Sequence, residues 1–135
     1  MSRLTLPLPP SVNHSHINIR KRYRLMRIRS TATKDYMCEA GWLAKGWCAA
    51  EKWTPPTKDR KIIMRVWVWF PDKRKRDADN ILKILQDSLT GIMWLDDRQV
   101  MPRVMDVGVD KQNPRVEIEV EVMADDSAAR ESSPR

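Results

Sequence analysis

The sequence lacks the long apolar segments that membrane-spanning and exported proteins carry. Its apolar runs fall far short of the ~20 residues that a transmembrane helix needs. The first residues, Met1 to Leu6, contain no apolar core of the kind found in a signal peptide. We therefore expect a cytoplasmic protein that has no membrane partner.

Cysteine and histidine are also scarce, with two residues of each. Cys38 and Cys48 fall in one predicted helix, where ten residues separate two side chains by about 15 Å, too far for a disulfide bond. Together with His14 and His16 they match no spacing that is typical of a zinc site. A disulfide scaffold is excluded if the helix is continuous, and no small-molecule cofactor is expected.

Positive charge exceeds negative charge, with 25 Lys and Arg against 18 Asp and Glu and a net charge of +7. Such an excess favours a polyanionic partner, nucleic acid before membrane. The cations concentrate in two blocks whose members are predicted DNA contacts: Arg20, Lys21, Arg22 and Arg24 in the first, and Lys73, Arg74, Lys75 and Arg76 in the second. The alternative is two solvated loops, but the second block directly precedes a group of carboxylates, which favours a DNA contact.

Hydrophobic periodicity predicts one small α+β domain over residues 1–123, followed by a disordered polar tail over residues 124–135. Two helices are expected to pack on one four-stranded mixed sheet. The predicted order is β-α-β-α-β-β: strand 3–8, helix from 30 or 31 to about 52, strand 61–70, helix 77–90, strand 100–107 and strand 115–123. Pro7 suggests that the first strand lies at an edge, and residues 11–29 are expected to form an irregular loop.

The strand over residues 61–70 is apolar on both faces, because Ile63, Trp67 and Trp69 alternate with the residues of the clearly buried face. It is therefore expected to be central in the sheet, and its second face needs cover from a helix or a partner subunit. Aromatic residues concentrate at interfaces, so these tryptophans favour a homodimer. Cover by the helices of the same chain is the alternative.

Polar and charged residues cluster at the start of the helix predicted over residues 77–90. Asp77 is a plausible N-cap. At about 100° per residue, Asp79, Asn80 and Lys83 occupy one arc of the helix, opposite its apolar stripe. Asp79 and Lys83 are one turn apart and can touch. The helix is thus predicted to bury one face and to present acidic, amide and basic side chains on the other.

A second acidic pair, Asp96 and Asp97, follows the helix after Gly91. Carboxylates that converge without histidine favour a hard ion such as Mg²⁺. Such an ion can supply a hydroxide nucleophile and stabilise charge on a phosphorus atom, while Lys83 would hold the water or the phosphate. Whether this second pair meets the helix start depends on the fold and does not follow from the sequence.

The residue pattern alone supports a purely structural interpretation of these residues about as well as a catalytic one. Asp77 would then be only a helix cap, Asp79 a favourable acid in the first helical turn, and Asp79 with Lys83 a solvated ion pair.

The two motifs together resemble the signature of RusA-type Holliday junction resolvases. Residues 77–83 match D-x-D-N-x-x-K, residues 94–99 match W-x-D-D-x-Q, and the P-P-S-x-N loop of the family resembles residues 9–13. The resemblance covers roughly residues 3–123 in the same order of elements. Separate motifs in register are unlikely to match by chance.

This resemblance implies a homodimer that binds a four-way DNA junction and nicks two opposed strands with Mg²⁺, or with Mn²⁺ as a substitute, in recombination and repair. It also implies a role for each matching residue: Asp77, Asp79 and Asp97 as metal-binding catalytic acids, Lys83 as the catalytic lysine, and Asn80 and Asp96 as site support.

Two other functions stay open at this point. A non-catalytic junction-binding protein fits the charge equally well, although exposed carboxylates on a DNA-contacting face cost affinity unless a metal ion offsets them. A Mg²⁺ nuclease for flaps or forks would carry the same motif, so the motif does not separate it from a resolvase.

Overall fold

A computed structural model describes residues 2–10, 31–74, 76 and 78–124, and residues 16–21 and 24–29 by their backbone. Its elements in chain order are β1 (Leu4–Leu6), β2 (His16–Lys21), β3 (Arg24–Arg29), α1 (Thr31–Glu51), β4 (Ile62–Phe70), α2 (Ala78–Leu89), β5 (Val100–Val109) and β6 (Arg115–Val122). A short 3₁₀ helix, Asp97–Gln99, directly precedes β5. The predicted tail lies outside the described residues, apart from Ala124.

Four strands form a mixed sheet in the order β1-β6-β4-β5. Strand β4 pairs antiparallel with β6 and parallel with β5. A parallel pair needs a crossover connection, and α2 provides it. The α+β class, the four-stranded mixed sheet, the central position of β4 and the edge position of β1 are thus confirmed.

One face of the sheet carries both helices. The five residues of β4 that alternate from Ile62 to Phe70 are buried, and they form one core with Ala40 and Ala44 of α1 and Leu85 of α2. The hydroxyl of Tyr36 ties α1 to the end of β1, since it donates a 2.7 Å hydrogen bond to the carbonyl of Pro7.

The loop predicted over residues 11–29 is wrong for its described part. Strands β2 and β3 form a two-stranded antiparallel sheet in which His16 pairs with Arg29 and Lys21 with Arg24. Ile17 and Ile19 alternate with polar residues, which is the period of a strand. The surrounding cations obscure this short pattern, because they fall on both phases of the alternation.

The open face of the sheet is covered by arginines of the same chain. The guanidinium of Arg3 lies 3.6 Å from the ring centre of Trp67, and that of Arg115 lies 4.3 Å from Trp69. Both arginines also pair with Glu117, at 3.1 and 2.8 Å. The two tryptophans therefore find cover within the chain and do not by themselves require a partner subunit.

In the part of the chain that the structure describes, neither helix combines the length and apolar character needed to cross a membrane.

Candidate active site

The first half of the candidate site is the start of α2. Asp77 lies outside the described residues, and the helix begins at Ala78. Asp79 and Lys83 are exposed and Asn80 is half-buried, whereas Ile81 is buried. The helix therefore buries its apolar stripe and presents the predicted site residues to solvent, as the sequence indicates.

The loop before α2 is fastened by one of its own arginines. Nη1 of Arg76 donates to the Asp72 carboxylate at 2.8 Å and to the carbonyls of Asp72 and Arg74 at 3.3 and 3.2 Å. Its guanidinium also lies 4.8 Å from the ring centre of Phe70. The bond from Arg76, followed by that from the backbone N–H of Arg74, holds the pKa of Asp72 below its usual value.

The second basic block therefore divides into two kinds of residue. Arg76 is engaged in holding the loop, whereas Lys73 and Arg74 are exposed, with 82% of the Arg74 side chain accessible. Lys75 lies outside the described residues. Lys73 and Arg74 are thus better placed than Arg76 to reach a phosphate.

The first basic block lies at the closed end of the β2–β3 hairpin. Lys21 and Arg24 are the last pair of the ladder, and Arg20 pairs with Leu25 beside them. Arg22 falls between the strands and lies outside the described residues. The hairpin thus gathers the described cations of this block at one end of a two-stranded ribbon.

The second half of the candidate site is the turn after α2. Gly91 has a φ of +91°, a conformation that side chains other than glycine adopt rarely. Its N–H donates to the carbonyl of Trp94 at 2.7 Å, and the buried indole of Trp94 donates to Oγ1 of Thr90 at 2.9 Å. Trp94 therefore anchors the turn that presents the acidic pair.

Gln99 is the structural centre of this turn. It is 1% exposed, and its Oε1 accepts from the backbone N–H groups of Leu95 and Asp96, both at 3.0 Å. Its Nε2 donates to the carbonyls of Thr57 and Arg60 at 2.7 and 3.0 Å, and to that of residue 56 at 3.4 Å. One side chain thus fixes the acidic turn to the loop that leads into β4.

Asp96 and Asp97 have different surroundings. Asp96 caps the 3₁₀ helix by accepting a 3.0 Å bond from the N–H of Arg98, and it forms a capping box with Gln99. The hydrogen bond from that N–H is the main cause that lowers the pKa of Asp96, and partial burial opposes it. Asp97 is exposed. Asp96 thus has a structural role. The D-x-x-Q spacing of Asp96 and Gln99 is a signal in the sequence from which both the cap and the role of Gln99 could have been predicted.

One chain places the two halves of the site at opposite ends of β4 and β5. Asp97 precedes Val100, which pairs with Ile62 at the start of β4. Asp79 follows the other end of β4, where Arg76 packs on Phe70. Eight residue steps of a strand cover about 26 Å, so Asp79 and Asp97 do not meet within one chain.

Among the residues whose placement is described, no three acidic, histidine or cysteine side chains are grouped to hold a metal ion. Asp77 is not among these residues. The exposed carboxylates of Asp79 and Asp97 are ligands of the type that Mg²⁺ prefers. Their assignment as metal ligands, and that of Lys83 as the catalytic lysine, stay predictions.

Comparison with known proteins identifies the family. The model of the family described as "Endodeoxyribonuclease RusA" matches residues 7–121. A "Crossover junction endodeoxyribonuclease rusA" of Enterobacteria phage 82 is 32% identical over 125 residues, which cover 91% of this chain and 96% of that protein. Proteins of the same name from Escherichia coli and Shigella sonnei are each 31% identical over the same shares of both chains.

The match includes both motifs and nearly the whole of each relative, so it is not a likeness of one segment alone. The chain belongs to the endodeoxyribonuclease RusA family and is a nuclease that acts on DNA.

Proposed function

We propose that this protein is a Mg²⁺-dependent endonuclease that resolves four-way DNA junctions by paired nicks in opposed strands, in recombination and repair. The observation that carries the proposal is the likeness to crossover junction endodeoxyribonucleases over 96% of their length. The exposed Asp79 and Lys83 at the start of α2, close in sequence to the exposed cations Lys73 and Arg74, support it.

The chemistry follows from the residue types. When bound, a Mg²⁺ ion, or Mn²⁺ in its place, would supply Lewis-acid chemistry at the scissile phosphate. Asp77, Asp79 and Asp97 would hold it through carboxylate oxygens. Lys83, one helical turn from Asp79, would stabilise the additional negative charge of the transition state. Lys73 and Arg74 would bind flanking phosphates without reading the base sequence.

Association of two chains is part of this proposal. Asp79 and Asp97 lie at opposite ends of the same strand pair, so they can act on one ion only if they come from different chains. A two-fold dimer would bring Asp79 of one chain near the partner's Asp97 and would place two equivalent sites on a two-fold substrate. Two such sites suit a reaction that must cut two opposed strands.

The test is cleavage of a synthetic four-way junction beside a flap, a fork and a linear duplex of the same sequences. We expect paired, symmetric nicks in the junction with Mg²⁺ and none with EDTA. Equal cleavage of flaps or forks would instead favour a general nuclease for branched DNA. Tight junction binding without cleavage in Mg²⁺ or Mn²⁺ would favour the non-catalytic alternative.

A further inference from the structure

The surface around Asp97 carries cations that belong to neither basic block. They come from two segments, the loop that leads into β4 and the 3₁₀ helix, and there are four of them: Lys58, Arg60, Lys61 and Arg98. The same two segments, residues 57–61 and 96–98, contain three acids, so that cations outnumber acids by four to three. Exposed carboxylates repel DNA phosphates unless positive charge offsets them. The balance of charge around Asp97 therefore permits a DNA backbone to approach it.

Two of these four cations hold the protein itself together. Nη2 of Arg60 donates a 2.9 Å hydrogen bond to the carbonyl of Met123, just after β6. Nζ of Lys61 donates to the carbonyl of Arg98 at 3.3 Å, which ties the 3₁₀ helix to the residue directly before β4. Arg60 and Lys61 are therefore engaged with the backbone, as Arg76 is in the second basic block.

The other two cations, Lys58 and Arg98, are accessible to a ligand. The Arg98 side chain is 90% accessible, and its Nε lies 4.0 Å from Oδ1 of Asp96, beyond hydrogen-bonding distance. Lys58 is exposed, and its side chain forms no hydrogen bond or ion pair with the described part of the chain. The N–H of Arg98 is the main cause of the low pKa of Asp96, and the charges of Arg98 and Lys58 add to it. Both cations thus lie near the same carboxylate of the acidic pair.

Gln99 fixes the backbone that carries Lys58 relative to the turn that carries Asp97. Lys58 lies in a tight turn, in which the N–H of Arg60 donates to the carbonyl of Thr57 at 3.0 Å. Nε2 of Gln99 donates to the carbonyls at both ends of that turn, at 2.7 and 3.0 Å. Its Oε1 accepts from two N–H groups of the acidic turn. One buried amide thus orders both segments before any ligand binds, which reduces the entropic cost of binding.

We propose that Lys58 and Arg98 form a phosphate-binding pair that holds the DNA backbone beside Asp97. The ligand is the phosphodiester backbone on one flank of the phosphate that is cut, with one contact for each cation and no reading of the base sequence. This inference rests on the proposed function, because it takes Asp97 to lie at the reaction centre. Lys73 and Arg74 lie beyond the opposite end of β4, so within one chain they cannot make these contacts.

The salt dependence of DNA binding tests this pair. Fluorescence anisotropy of a labelled four-way junction in EDTA would compare the native full chain with Lys58→Gln, Arg98→Gln and the double variant at several salt concentrations. Each phosphate contact contributes about 0.9 to the slope of log affinity against log salt. Each single variant should therefore lower the slope by about 1 and weaken binding about tenfold at ~0.1 M salt. The double variant should show both losses in full, and Lys45→Gln, at an exposed position of α1, is the control of equal charge change.

Lys58→Arg and Arg98→Lys keep the charge and should keep both the affinity and the slope, and circular dichroism would verify that each variant is folded. Binding by the glutamine variants as tight as that of Lys45→Gln, or a loss of affinity without a change in slope, would overturn the inference. Symmetric cleavage of the junction by such a protein would leave the proposed function standing. A protein that shows both losses but cuts no branched DNA would refute the function and leave the phosphate contacts in place.

Discussion

At the scale of single residues, the adjacent carboxylates of Asp96 and Asp97 have different surroundings. Asp96 caps a 3₁₀ helix and is fixed by its neighbours, whereas Asp97 beside it is exposed. The same contrast holds in the basic block, where Arg76 fastens a loop and Arg74 projects into solvent. Neighbouring residues of the same type thus differ in their contacts and exposure, and only the three-dimensional structure distinguishes them.

The acids can be tested without disturbing the fold. Asp79→Asn and Asp97→Asn should each abolish junction cleavage, because each removes a proposed metal ligand and leaves the cationic contacts in place. Junction affinity should be retained or rise, since a negative charge is lost from the DNA-facing surface. Gel-shift and single-turnover cleavage assays would measure both. Asp35→Asn, at an exposed position of α1, is the matched control, and undiminished cutting by either site variant would remove that acid from the mechanism.

Gln99 offers a residue-scale test of stability. Gln99→Leu removes five hydrogen bonds from a buried position and leaves the N–H groups of Leu95 and Asp96 without the acceptor that fixes the turn. We expect a loss of about 3 kcal/mol or more in the free energy of unfolding, measured by urea titration. Gln112→Leu makes the same change at an exposed turn and should stay within about 0.5 kcal/mol of the native protein. Similar values for both variants would contradict the structural role of Gln99.

At the scale of elements, the strongly periodic segments could be predicted from the sequence. The predicted helix ending near residue 52 is observed as Thr31–Glu51, and the predicted strand over residues 61–70 as Ile62–Phe70. Both segments carry a long periodic pattern of apolar residues, because each of them buries one face in the same core. The β2–β3 hairpin was missed because six-residue strands rich in arginine give no comparable pattern, although the backbone ladder still forms.

The packing of α1 on α2 provides an element-scale test. A Cβ added at Gly41 would lie 3.0 Å from Cδ1 of Ile92, whereas one at Gly46 would meet nothing within 4 Å. Gly46→Ala should therefore raise the free energy of unfolding by about 1 kcal/mol, the usual gain in helix propensity. Gly41→Ala should gain less or lose stability, because Ile92 must move. Equal gains in urea titrations would show that α1 at Gly41 is not in close contact with Ile92, in the turn that follows α2.

At the scale of the whole molecule, the separation of Asp79 from Asp97 could not be predicted from the sequence. Asp79 and Asp97 are only 18 positions apart, and this spacing is compatible with a shared site. The parallel crossover from β4 through α2 to β5 decides the matter, because it returns the chain to the end of the sheet at which β4 starts before β5 begins. Topology, rather than local pattern, therefore makes a second chain necessary for the proposed site.

Trp67 and Trp69 of β4 do not by themselves require a second chain, for a related reason. The sequence predicts that Trp67 and Trp69 need a helix or a partner, but Arg3, directly before β1, and Arg115, at the start of β6, stack on them. Arginine is a charged residue in any hydropathy pattern, so its capacity to cover an aromatic ring is not visible there. In the part of the chain that the structure describes, exposed apolar side chains concentrate instead on β5, at Val104, Met105, Val107 and Val109.

Because of the same arginines, the stability of the whole protein is expected to decrease at acidic pH. Hydrogen bonds from Arg115 and then from Arg3 hold the pKa of Glu117 below 4.5, the value of an unperturbed glutamate, and Arg115 also lowers the pKa of Asp110. The unfolded chain therefore binds these protons at a higher pH than the folded chain does. Their contribution to stability is complete above about pH 5 and is lost as the pH falls through the folded pKa values.

We accordingly expect a urea midpoint that is nearly constant from pH 7 to pH 5 and that falls steadily below about pH 4. Glu117→Gln should lower the midpoint at pH 7 and flatten this acid dependence, because the group can no longer titrate. Glu39→Gln, at an exposed position of α1, is the control of equal charge change. High salt should reduce the difference between the two variants, since pairs near the surface are screened. The urea midpoint of Glu117→Gln could instead fall with pH as steeply as that of the native protein. That result would show that the arginine pairs on the open face do not govern the acid dependence of stability.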